Sequence, residues 1–538
     1  MINSVSLRNV RVFRQESQFP FGDLCVFCGT NSSGKSSVLK SMLLLRQSQG
    51  IEEPVRARDG LLRFVGTQVD LGKFATYVSD RRQDAEITIG ITVPHHMDKA
   101  QIHFLRSVTT PPGQPRAEQQ PSERPSCSLD VVFTFVGTPG PAHDSQGAPE
   151  AGLGHNIAQL LGVLNTARFT LRTGSETLLP WFVYRVPESK PEESPYKIRL
   201  PSKYFEKVGG RQIMDVDPSS DPDFVELSVG LDGLLPDRVI ARIHQEEDKH
   251  EKPQAEAKER WSIYPLPPQM EACVRSVKAA LTSIHYMGPM RAPAKRYYVT
   301  SSDSPPFMDP AGEFVPQLLA LEDEPRVLCI APRQRKLQKL GLFTALDHWL
   351  YFIRTGETKV SQVVQPHEVR VSSTKGVLVE LEVPSPNDAE PHSLADSGFG
   401  YSQLLPILVR GLMAAQRATI IVEQPELHLN PGVQIRLAEF FVSLVLAGKQ
   451  VLLETHSEHM VNAVRVLVAE QDGGKLTGRC NIFYIRASGD GPQVQPLPIE
   501  ANGLVSEWPY EFFGEAATLA GRLLRAQKKC RETAKSME

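Results

Sequence analysis

The stretch Gly29-Thr30-Asn31-Ser32-Ser33-Gly34-Lys35-Ser36 decides the fold of this chain. It follows an apolar run at residues 24–28 and precedes a helical pattern at residues 37–45. A strand, a glycine-rich loop of the form G-x-x-x-x-G-K-S and a helix, in this order, are typical of a phosphate-binding loop. The glycines let the backbone curl so that successive N–H groups point at a polyphosphate, and the helix adds the positive end of its dipole.

The motif assigns an expected role to each of its polar groups. Lys35 would reach the β- and γ-phosphates, and the hydroxyl of Ser36 would be a ligand of Mg²⁺. The residues expected to contact the bound nucleotide in this part of the chain are Gly29, Asn31, Ser32, Ser33, Gly34, Lys35, Ser36 and Ser37.

The composition is that of an ordinary globular protein. The 538 residues carry a formal net charge of −3 and 22% charged residues, so no strong basic balance argues for nucleic-acid binding. Seven cysteines scattered over a long chain favour reduced thiols over a disulfide framework. The N-terminus lacks a leader pattern, and no apolar run approaches the roughly 18 residues that a membrane helix needs. We therefore expect a cytoplasmic protein.

A second pair of buried strands supplies the acidic groups that a phosphate loop requires. The apolar run at residues 419–422 ends in Glu423-Gln424-Pro425-Glu426, and a helix is predicted over residues 431–446. A further apolar run at residues 450–453 ends in Glu454-Thr455-His456-Ser457. Strand, helix and strand form a βαβ unit, whose acidic strand end is suited to hold Mg²⁺.

The rest of the sequence predicts an uneven organisation. Alternating apolar residues predict a strand or hairpin over residues 4–21 and a strand over residues 85–93. From about residue 109 to 149 the composition shifts to Pro, Ser, Gln and Gly around one plausible strand at residues 129–135, and polar stretches follow at residues 187–195 and 245–260, so residues 101–285 predict a loop-rich insertion. A helix is expected over residues 342–353 and a hairpin around residues 372–376. The expected domains are an N-terminal ATPase lobe at 1–100, the insertion at 101–285, a helical connector at 286–364, a C-terminal ATPase lobe at 365–470 and a small domain at 471–538.

In its phosphate loop and in the strand ends at Glu423 and Glu454, the chain resembles the ABC/SMC-like AAA-type ATPase heads, and within them the OLD-like (overcoming lysogenization defect) group. The matching segments are residues 29–36, 397–403, 423–431 and 454–456. The resemblance implies an α/β P-loop NTPase head with an N-terminal antiparallel β lobe, the insertion and a small C-terminal domain of no established activity. It also implies ATP and Mg²⁺ as ligands.

The resemblance carries roles to individual residues. Glu423 falls at the Walker B acid that holds Mg²⁺, and His456 falls at the switch histidine that senses the γ-phosphate. Ser397 and Gly398 resemble the signature motif that caps ATP bound to a partner subunit, although Asp396 or Gly400 could equally be the contacting residue. A site of this type is complete only in a homodimer that holds two ATP molecules.

One position departs from the family pattern. ABC-type heads normally have a glutamate after the Walker B acid to polarise the attacking water, and this chain has Gln424. An amide can orient water but cannot accept its proton. Glu426 could serve instead if the segment leaves strand geometry after Pro425. Because Gln424 occupies the position of the usual base, hydrolysis is expected to be slow.

Gln68 could be the loop glutamine that reaches Mg²⁺, but its spacing is not diagnostic.

The remaining motifs leave alternatives open. Arg291 follows a Gly-Pro turn and could reach a phosphate or a partner, or be a solvated arginine. Cys25 and Cys28 lie within a buried strand, where metal or redox use is disfavoured. His428 and His459 would bind a metal only with other ligands. The basic run at residues 333–339 could touch nucleic acid, but is more often a solvated face.

The predicted function is an ATPase that dimerises around Mg-ATP and controls an effector. About 80 residues follow His456, too few for an added Toprim nuclease domain, and they contain no D-x-D cluster. The effector, such as a nuclease, would therefore be another chain, in a setting of bacterial defence or DNA transactions. A nucleotide-gated scaffold with little hydrolysis is the alternative, and the motor subunit of a membrane transporter is disfavoured by the insertion.

Overall fold

The structure is a computed structural model of the 538-residue chain. The residues that it describes are 1–49, 60–79, 81–82, 85–109, 127–137, 162–187, 194–208, 221–243, 260–299, 309–321, 323–358, 369–374, 378–384, 391–397, 399–470, 475–489, 491–505, 508–509 and 521–527.

The chain divides into two compact units, each built from several segments. The first unit comprises Met1–Phe21, Ser36–Tyr286 and Ala414–Ile421. The second unit comprises Gly22–Lys35, Met287–Met413 and Val422–Glu538. Most of the predicted site residues, from the phosphate loop to His456, belong to the second unit.

The strands are β1 Ser4–Arg8, β2 Ser17–Pro20, β3 Leu24–Gly29, β4 Leu61–Leu62, β5 Glu86–His95, β6 Cys127–Gly137, β7 Gly162–Thr173, β8 Glu176–Arg185, β9 Tyr196–Pro201, β10 Phe224–Asp232, β11 Leu235–Ile243, β12 Arg260–Pro265, β13 Ile284–Met287, β14 Tyr298–Val299, β15 Arg326–Cys329, β16 Gln338–Gly341, β17 Arg370–Thr374, β18 Leu378–Val383, β19 His392–Ser393, β20 Thr419–Glu423, β21 Gln450–Glu454, β22 Cys480–Arg486 and β23 Gln493–Pro498. The helices are α1 Lys35–Gln47, α2 Phe74–Tyr77, α3 Lys99–Thr109, α4 Ser202–Lys207, α5 Pro268–Thr282, α6 Val315–Leu319, α7 Leu342–Thr355, α8 Phe399–Met413, α9 Pro431–Leu446 and α10 Glu458–Glu470, with a 3₁₀ turn at Leu394–Asp396.

The first unit is organised around an antiparallel sheet of eleven strands. Its order is β12-β11-β10-β9-β8-β7-β6-β5-β1-β2, with β4 paired to β7. Buried and half-buried residues alternate along β6, which is the pattern of a strand with one covered face. Phe169 and Trp181 stack at 3.8 Å between ring centroids on the neighbouring strands β7 and β8. The predicted hairpin at residues 4–21 and the strand at residues 85–93 are part of this sheet.

Residues 101–285, for which the sequence predicts loop-rich material, contribute the strands β6 to β12 to the large sheet. The difference has a physical reason. The polar stretches at residues 110–126 and 244–259 dominate the composition, and only the strand at residues 129–135, within β6, is predicted from the sequence. Burial alternates regularly in β6, whereas β7, β8 and β10 depart from a two-residue period and give a weaker sequence signal. We therefore correct the loop-rich expectation for the described parts of this region.

A mostly parallel sheet, most of whose strands belong to the second unit, carries the predicted site. In it β20, β21, β3, β22 and β23 are neighbours in that order. The strands β21, β3 and β22 run parallel, with Glu454 opposite Phe27, whereas β23 is antiparallel to β22. Every residue of β3 and β21 is buried, as expected for a parallel sheet covered on both faces. The carboxyl ends of β3 and β21 therefore meet at one edge.

Smaller elements complete this unit. The strands β14, β18 and β17 form a second sheet in that order, with β19 paired to β18, and β15 and β16 form a hairpin. The predicted helix at residues 342–353 is α7, and the predicted helix at residues 431–446 is α9. The chain thus has an α/β fold with a phosphate loop and a large antiparallel sheet. Within the described residues, no helix is long and apolar enough to cross a membrane.

Candidate nucleotide site

The phosphate loop begins at the end of β3 and ends where α1 starts at Lys35. Its backbone has positive φ angles at Gly29 (131°), Ser32 (60°) and Gly34 (106°). A Cβ atom at Gly29 would collide with the backbone carbonyl of Ile485, so the close approach of β22 requires glycine there. The N–H of Thr30 donates to the same carbonyl oxygen at 3.2 Å. The loop is therefore fixed against β22 where it leaves the sheet.

Lys35 is buried inside the loop, with 4% of its surface exposed. Its Nζ donates to the carbonyl oxygen of Thr30 at 2.7 Å and to that of Gly29 at 3.2 Å. Burial lowers the pKa of the Lys35 ammonium, and the negative charge of Glu454 opposes that effect. A buried cation on the inner side of a loop with positive φ angles is chemically suited to an anionic ligand.

Ser33 gives an independent test of that fit. Its side chain is completely buried, and no hydrogen-bond partner of its Oγ occurs among the described residues. Buried hydroxyl groups are normally hydrogen-bonded, so this Oγ marks a polar position in the loop that a phosphate oxygen would satisfy. Asn31 and Ser32 have exposed side chains, whereas Ser36 and Ser37 continue into α1 and are half-buried.

Two buried carboxylates end the neighbouring strands β20 and β21. Glu423 is 3% exposed and Glu454 is 4% exposed. The N–H of Gln424 donates to the carbonyl oxygen of Glu454 at 2.7 Å, which ties the two strand ends together. The sequence assigned Glu423 as the magnesium-binding acid but gave Glu454 no role. Its position at the end of an apolar run was the signal that could have identified it.

The turn after Glu423 has an unusual backbone. Gln424 has a φ angle of 45°, in the left-handed region that residues other than glycine seldom adopt. Arg291 fixes this turn, because its Nη1 donates to the carbonyl oxygen of Gln424 at 3.0 Å and its Nη2 donates to that of Glu423 at 2.9 Å. Arg291 is 7% exposed, so of the alternatives left open for it, a solvated turn arginine is wrong.

Glu426 lies in the same turn, and the chain does leave strand geometry there. Its Oε2 accepts a hydrogen bond from the hydroxyl of Thr455 at 2.8 Å, and its Oε1 accepts one from the N–H of His456 at 2.7 Å. Both carboxylate oxygens are therefore engaged with the end of β21. This arrangement favours a structural connection over the substitute base that the sequence suggested for Glu426.

His456 follows β21, and its side chain is exposed. Partial burial and the positive charge of Lys35 lower the pKa of its imidazole, whereas Glu426 and Glu454 act in the opposite direction. The imidazole is therefore neutral near pH 7. Lys35 is thus among the charged groups that act on the imidazole of His456, and the role of His456 as a sensor of the γ-phosphate stays a prediction.

The signature-like segment is described in part. Ser397 ends the 3₁₀ turn, and its Oγ donates to the carbonyl oxygen of Leu394 at 2.6 Å. Asp396 accepts two hydrogen bonds from Arg296, at 2.7 and 2.9 Å. Gly400 has open space around it. Gly398 lies outside the described residues, so its predicted contact stays a prediction.

Gln68 lies in the first unit. Its Oε1 accepts a hydrogen bond from Nη1 of Arg46 at 2.9 Å, and its side chain is buried. The oxygen that would coordinate Mg²⁺ is thus engaged with a cation, and this contact disfavours the predicted metal role of Gln68.

The other candidate motifs have ordinary environments. Burial raises the pKa of the Cys25 and Cys28 thiols, and the six described cysteines are buried and free. Arg333, in the basic run, lies over the ring of Phe352 at 5.1 Å. The described residues contain no group of three or more His, Cys, Asp or Glu that could hold a metal, and His428 and His459 therefore gain no support as ligands.

Two family profiles match parts of the chain. Residues 346–461 match the AAA ATPase domain, a range that includes β20, Glu423, β21 and His456. Residues 478–523 match a protein of unknown function (DUF3696). No curated protein matches the sequence. Together with the phosphate loop, the first match supports an ATPase.

Several solved structures of SMC heads are similar to this chain. One is the SmcHead bound to the C-winged helix domain of ScpA, with 8% identity, coverage of 93% of this chain and 98% of that chain, and a TM-score of 0.37. Another is the SMC head domain from Thermotoga maritima, with 7% identity, coverage of 93% and 99%, and a TM-score of 0.33. A third, derived from Pyrococcus furiosus, is an Smc head domain with an extended coiled coil bound to the C-terminal domain of ScpA, with 8% identity, coverage of 92% and 96%, and a TM-score of 0.34.

Proposed function

We propose that this protein is an ABC/SMC-like ATPase of the OLD-like group that binds Mg-ATP and hydrolyses it slowly. The observation that carries the proposal is a buried lysine in the phosphate loop after β3, together with buried carboxylates at the ends of β20 and β21 in the same sheet. Lys35, Glu423 and Glu454 are each less than 5% exposed. Charged groups are seldom buried to this extent unless partners or a ligand compensate them.

The proposed roles follow from the chemistry of each group. Mg-ATP supplies the phosphoanhydride bond and the metal that neutralises its negative charge. The loop N–H groups and Lys35 would hold the phosphates, and Ser36 with Glu423 would hold the metal. Neutral His456 can donate or accept a hydrogen bond at the γ-phosphate. Gln424 would orient the attacking water without removing its proton.

We further propose a cytoplasmic homodimer that encloses two ATP molecules, in which Ser397 and Gly398 of one copy cap the nucleotide of the other. The dimer would control an effector on another chain, such as a nuclease, in bacterial defence or DNA transactions. This part of the proposal rests on the resemblance of the motifs at residues 29–36, 397–403, 423–431 and 454–456 to those of OLD-like ATPases.

A second candidate function is a nucleotide-gated scaffold with little or no hydrolysis. A specific observation favours it, because the usual base position is occupied by Gln424 and both carboxylate oxygens of Glu426 already accept hydrogen bonds. In that case ATP binding alone would switch the assembly.

Phosphate release and nucleotide binding separate the two candidates. We expect measurable turnover by the wild type, loss of binding in Lys35→Ala, and faster turnover in Gln424→Glu, since a positioned base contributes about 10²–10⁴-fold in rate. Lys339→Ala, in the exposed basic run, is the control and should match the wild type. Binding without turnover in the wild type, with turnover gained in Gln424→Glu, would establish the scaffold. A wild type that does not bind ATP would refute both.

A further inference from the structure

Glu426 connects the two loops that follow β20 and β21. Thr455 is fully buried, and its hydroxyl donates to Glu426 while accepting a hydrogen bond from the N–H of Ser457 at 3.0 Å. The backbone N–H of His456 donates to the second oxygen of the same carboxylate. One side chain therefore restrains the backbone on both sides of the Thr455–His456 peptide.

A second contact lies beside the first and joins the same elements. The hydroxyl of Ser457 donates to Oε1 of Gln434, on α9, at 2.6 Å. The Nε2 of Gln434 in turn donates to the carbonyl oxygen of Leu429 at 2.7 Å. The loop after β21 is thus attached both to the turn that contains Gln424 and Glu426 and to the first turns of α9.

These contacts tie the two loops together. Hydrogen bonds to a charged group contribute about 1.5–3 kcal/mol each, and the buried Thr455 hydroxyl and the His456 N–H would lose their partner if Glu426 withdrew. The N–H of Gln424 donates to the carbonyl oxygen of Glu454, the residue before Thr455, so the start of the turn is tied to the same loop, while Arg291 holds its carbonyl groups. A displacement of His456 therefore has a direct route to the backbone of Gln424.

We propose that Glu426 is a positioning residue that transmits contact between His456 and the terminal phosphate of a bound nucleoside triphosphate to the Gln424 turn and α9. The inference rests on the proposed function, because it requires a triphosphate in the loop beside Lys35. Through Glu426, the protein would distinguish a bound nucleoside triphosphate from a diphosphate. Glu426 is then not the base that accepts a proton from water.

The test compares affinities for ATP and ADP, measured by displacement of a fluorescent nucleotide, in the wild type, four single variants and one double variant. Glu426→Ala and Thr455→Val remove the connection, whereas Thr455→Ser keeps the hydroxyl. Glu426→Gln keeps an amide oxygen that can accept from one of the two donors. We expect ADP affinity to stay within about 2-fold, and the preference for ATP to fall about 10-fold in Glu426→Ala and Thr455→Val, a size typical of coupling between sites.

The controls distinguish coupling from simple loss of structure. Thr455→Ser should retain the wild-type preference, and Glu426→Gln should be intermediate. The double variant Glu426→Ala/Thr455→Val should lose no more than either single variant, because both changes break the same contact. Thermal unfolding identifies any variant that fails to fold. If Glu426→Ala does not fold, Glu426→Gln and Thr455→Val are compared with the wild type instead.

Two results would overturn the inference while leaving the proposed function intact. One is an unchanged ATP preference in all four variants. The other is an equal loss of turnover in Glu426→Gln and Glu426→Ala with wild-type turnover in Thr455→Val, which would make Glu426 the base. If the wild type itself bound no ATP, the proposed function would fail, and the inference with it.

Discussion

Arg291 holds the backbone of Gln424 through a hydrogen bond of 3.0 Å from its Nη1 to the Gln424 carbonyl oxygen. Its Nη2 donates to the preceding carbonyl, that of Glu423, at 2.9 Å. The guanidinium thus satisfies both carbonyl groups at the point where the chain leaves β20 and enters a left-handed conformation. In the sequence, Arg291 is separated from Glu423 by 132 positions and from Gln424 by 133 positions.

Replacement of Arg291 should affect both stability and turnover. Arg291→Met leaves two carbonyl groups without their charged donor, and we expect a loss of about 2–4 kcal/mol in the free energy of unfolding. Because the Gln424 turn is then released, turnover should also fall by about 10-fold or more. Urea unfolding and phosphate release measure the two effects.

The matched control is Arg296→Met. Arg296 pairs with Asp396 through two short hydrogen bonds, but both side chains are exposed. Such a surface pair contributes about 0–1 kcal/mol, so this variant should remain close to the wild type in stability. An equal loss of stability in the two variants would contradict a special role for Arg291.

The backbone of Gln424 provides a second test. At a φ angle of 45° glycine is unstrained, whereas alanine retains the steric cost of the left-handed region. We therefore expect Gln424→Gly to be more stable than Gln424→Ala by about 1 kcal/mol, the reverse of the usual order within a strand. Thermal unfolding of the pair measures the difference, and a more stable alanine variant would contradict the assigned conformation.

The sequence predicts local features of this site and misses those created by distant contacts. The phosphate loop, β20, α9 and β21 follow from residue spacing and apolar runs, since each depends on neighbours in the chain. The contacts of Arg291 and Glu426 depend on the approach of separate strand ends, which spacing does not determine. Gln68 illustrates the converse, because its position after the first helix is suggestive while its partner is Arg46.

The large sheet shows a second limit of sequence reasoning. In residues 101–285 composition averages over polar connections and strands alike, so the region resembles a loop. The alternation in Cys127–Gly137 is regular, yet its pairing with β5 and β7 brings together residues tens of positions apart. A single sequence carries the strand signal but not the order of the strands.

The pKa of His456 should respond in opposite directions to two substitutions. Partial burial and Lys35 lower it, so the wild-type imidazole should titrate below its usual value of 6.5. Lys35→Met removes a positive charge and should raise the pKa, whereas Glu426→Gln removes a negative charge and should lower it further. NMR titration of ¹³C-labelled histidines measures the shifts, with His456→Gln identifying the resonance. Shifts of the same sign in both variants would contradict the assigned arrangement.

Lys449 gives a prediction about stability and pH in a different part of the second unit. Its side chain is fully buried, and its Nζ donates to the carbonyl oxygens of Gly411 at 2.7 Å and Leu412 at 3.0 Å, at the end of α8. Burial lowers the pKa of the ammonium to about 8, against an opposing effect of Cys329. The folded chain therefore carries a cation that burial penalises at pH 7 and that can deprotonate in mild alkali.

The sign of the effect follows from proton binding. Between about pH 8 and the ordinary lysine value of 10.5, the unfolded chain binds more protons at residue 449 than the folded chain does. The free energy of unfolding of the wild type should therefore rise with pH relative to that of Lys449→Met, by about 3 kcal/mol across this window. Urea unfolding of both proteins measures the difference. Suitable pH values are roughly 7.5, below the lowered pKa, and roughly 10, near the ordinary lysine value. Lys475→Met, at an exposed lysine, should show no such relative change. A difference between wild type and Lys449→Met that stays constant with pH would mean that Lys449 keeps its proton over the end of α8, stabilised by the two carbonyl groups and the helix dipole.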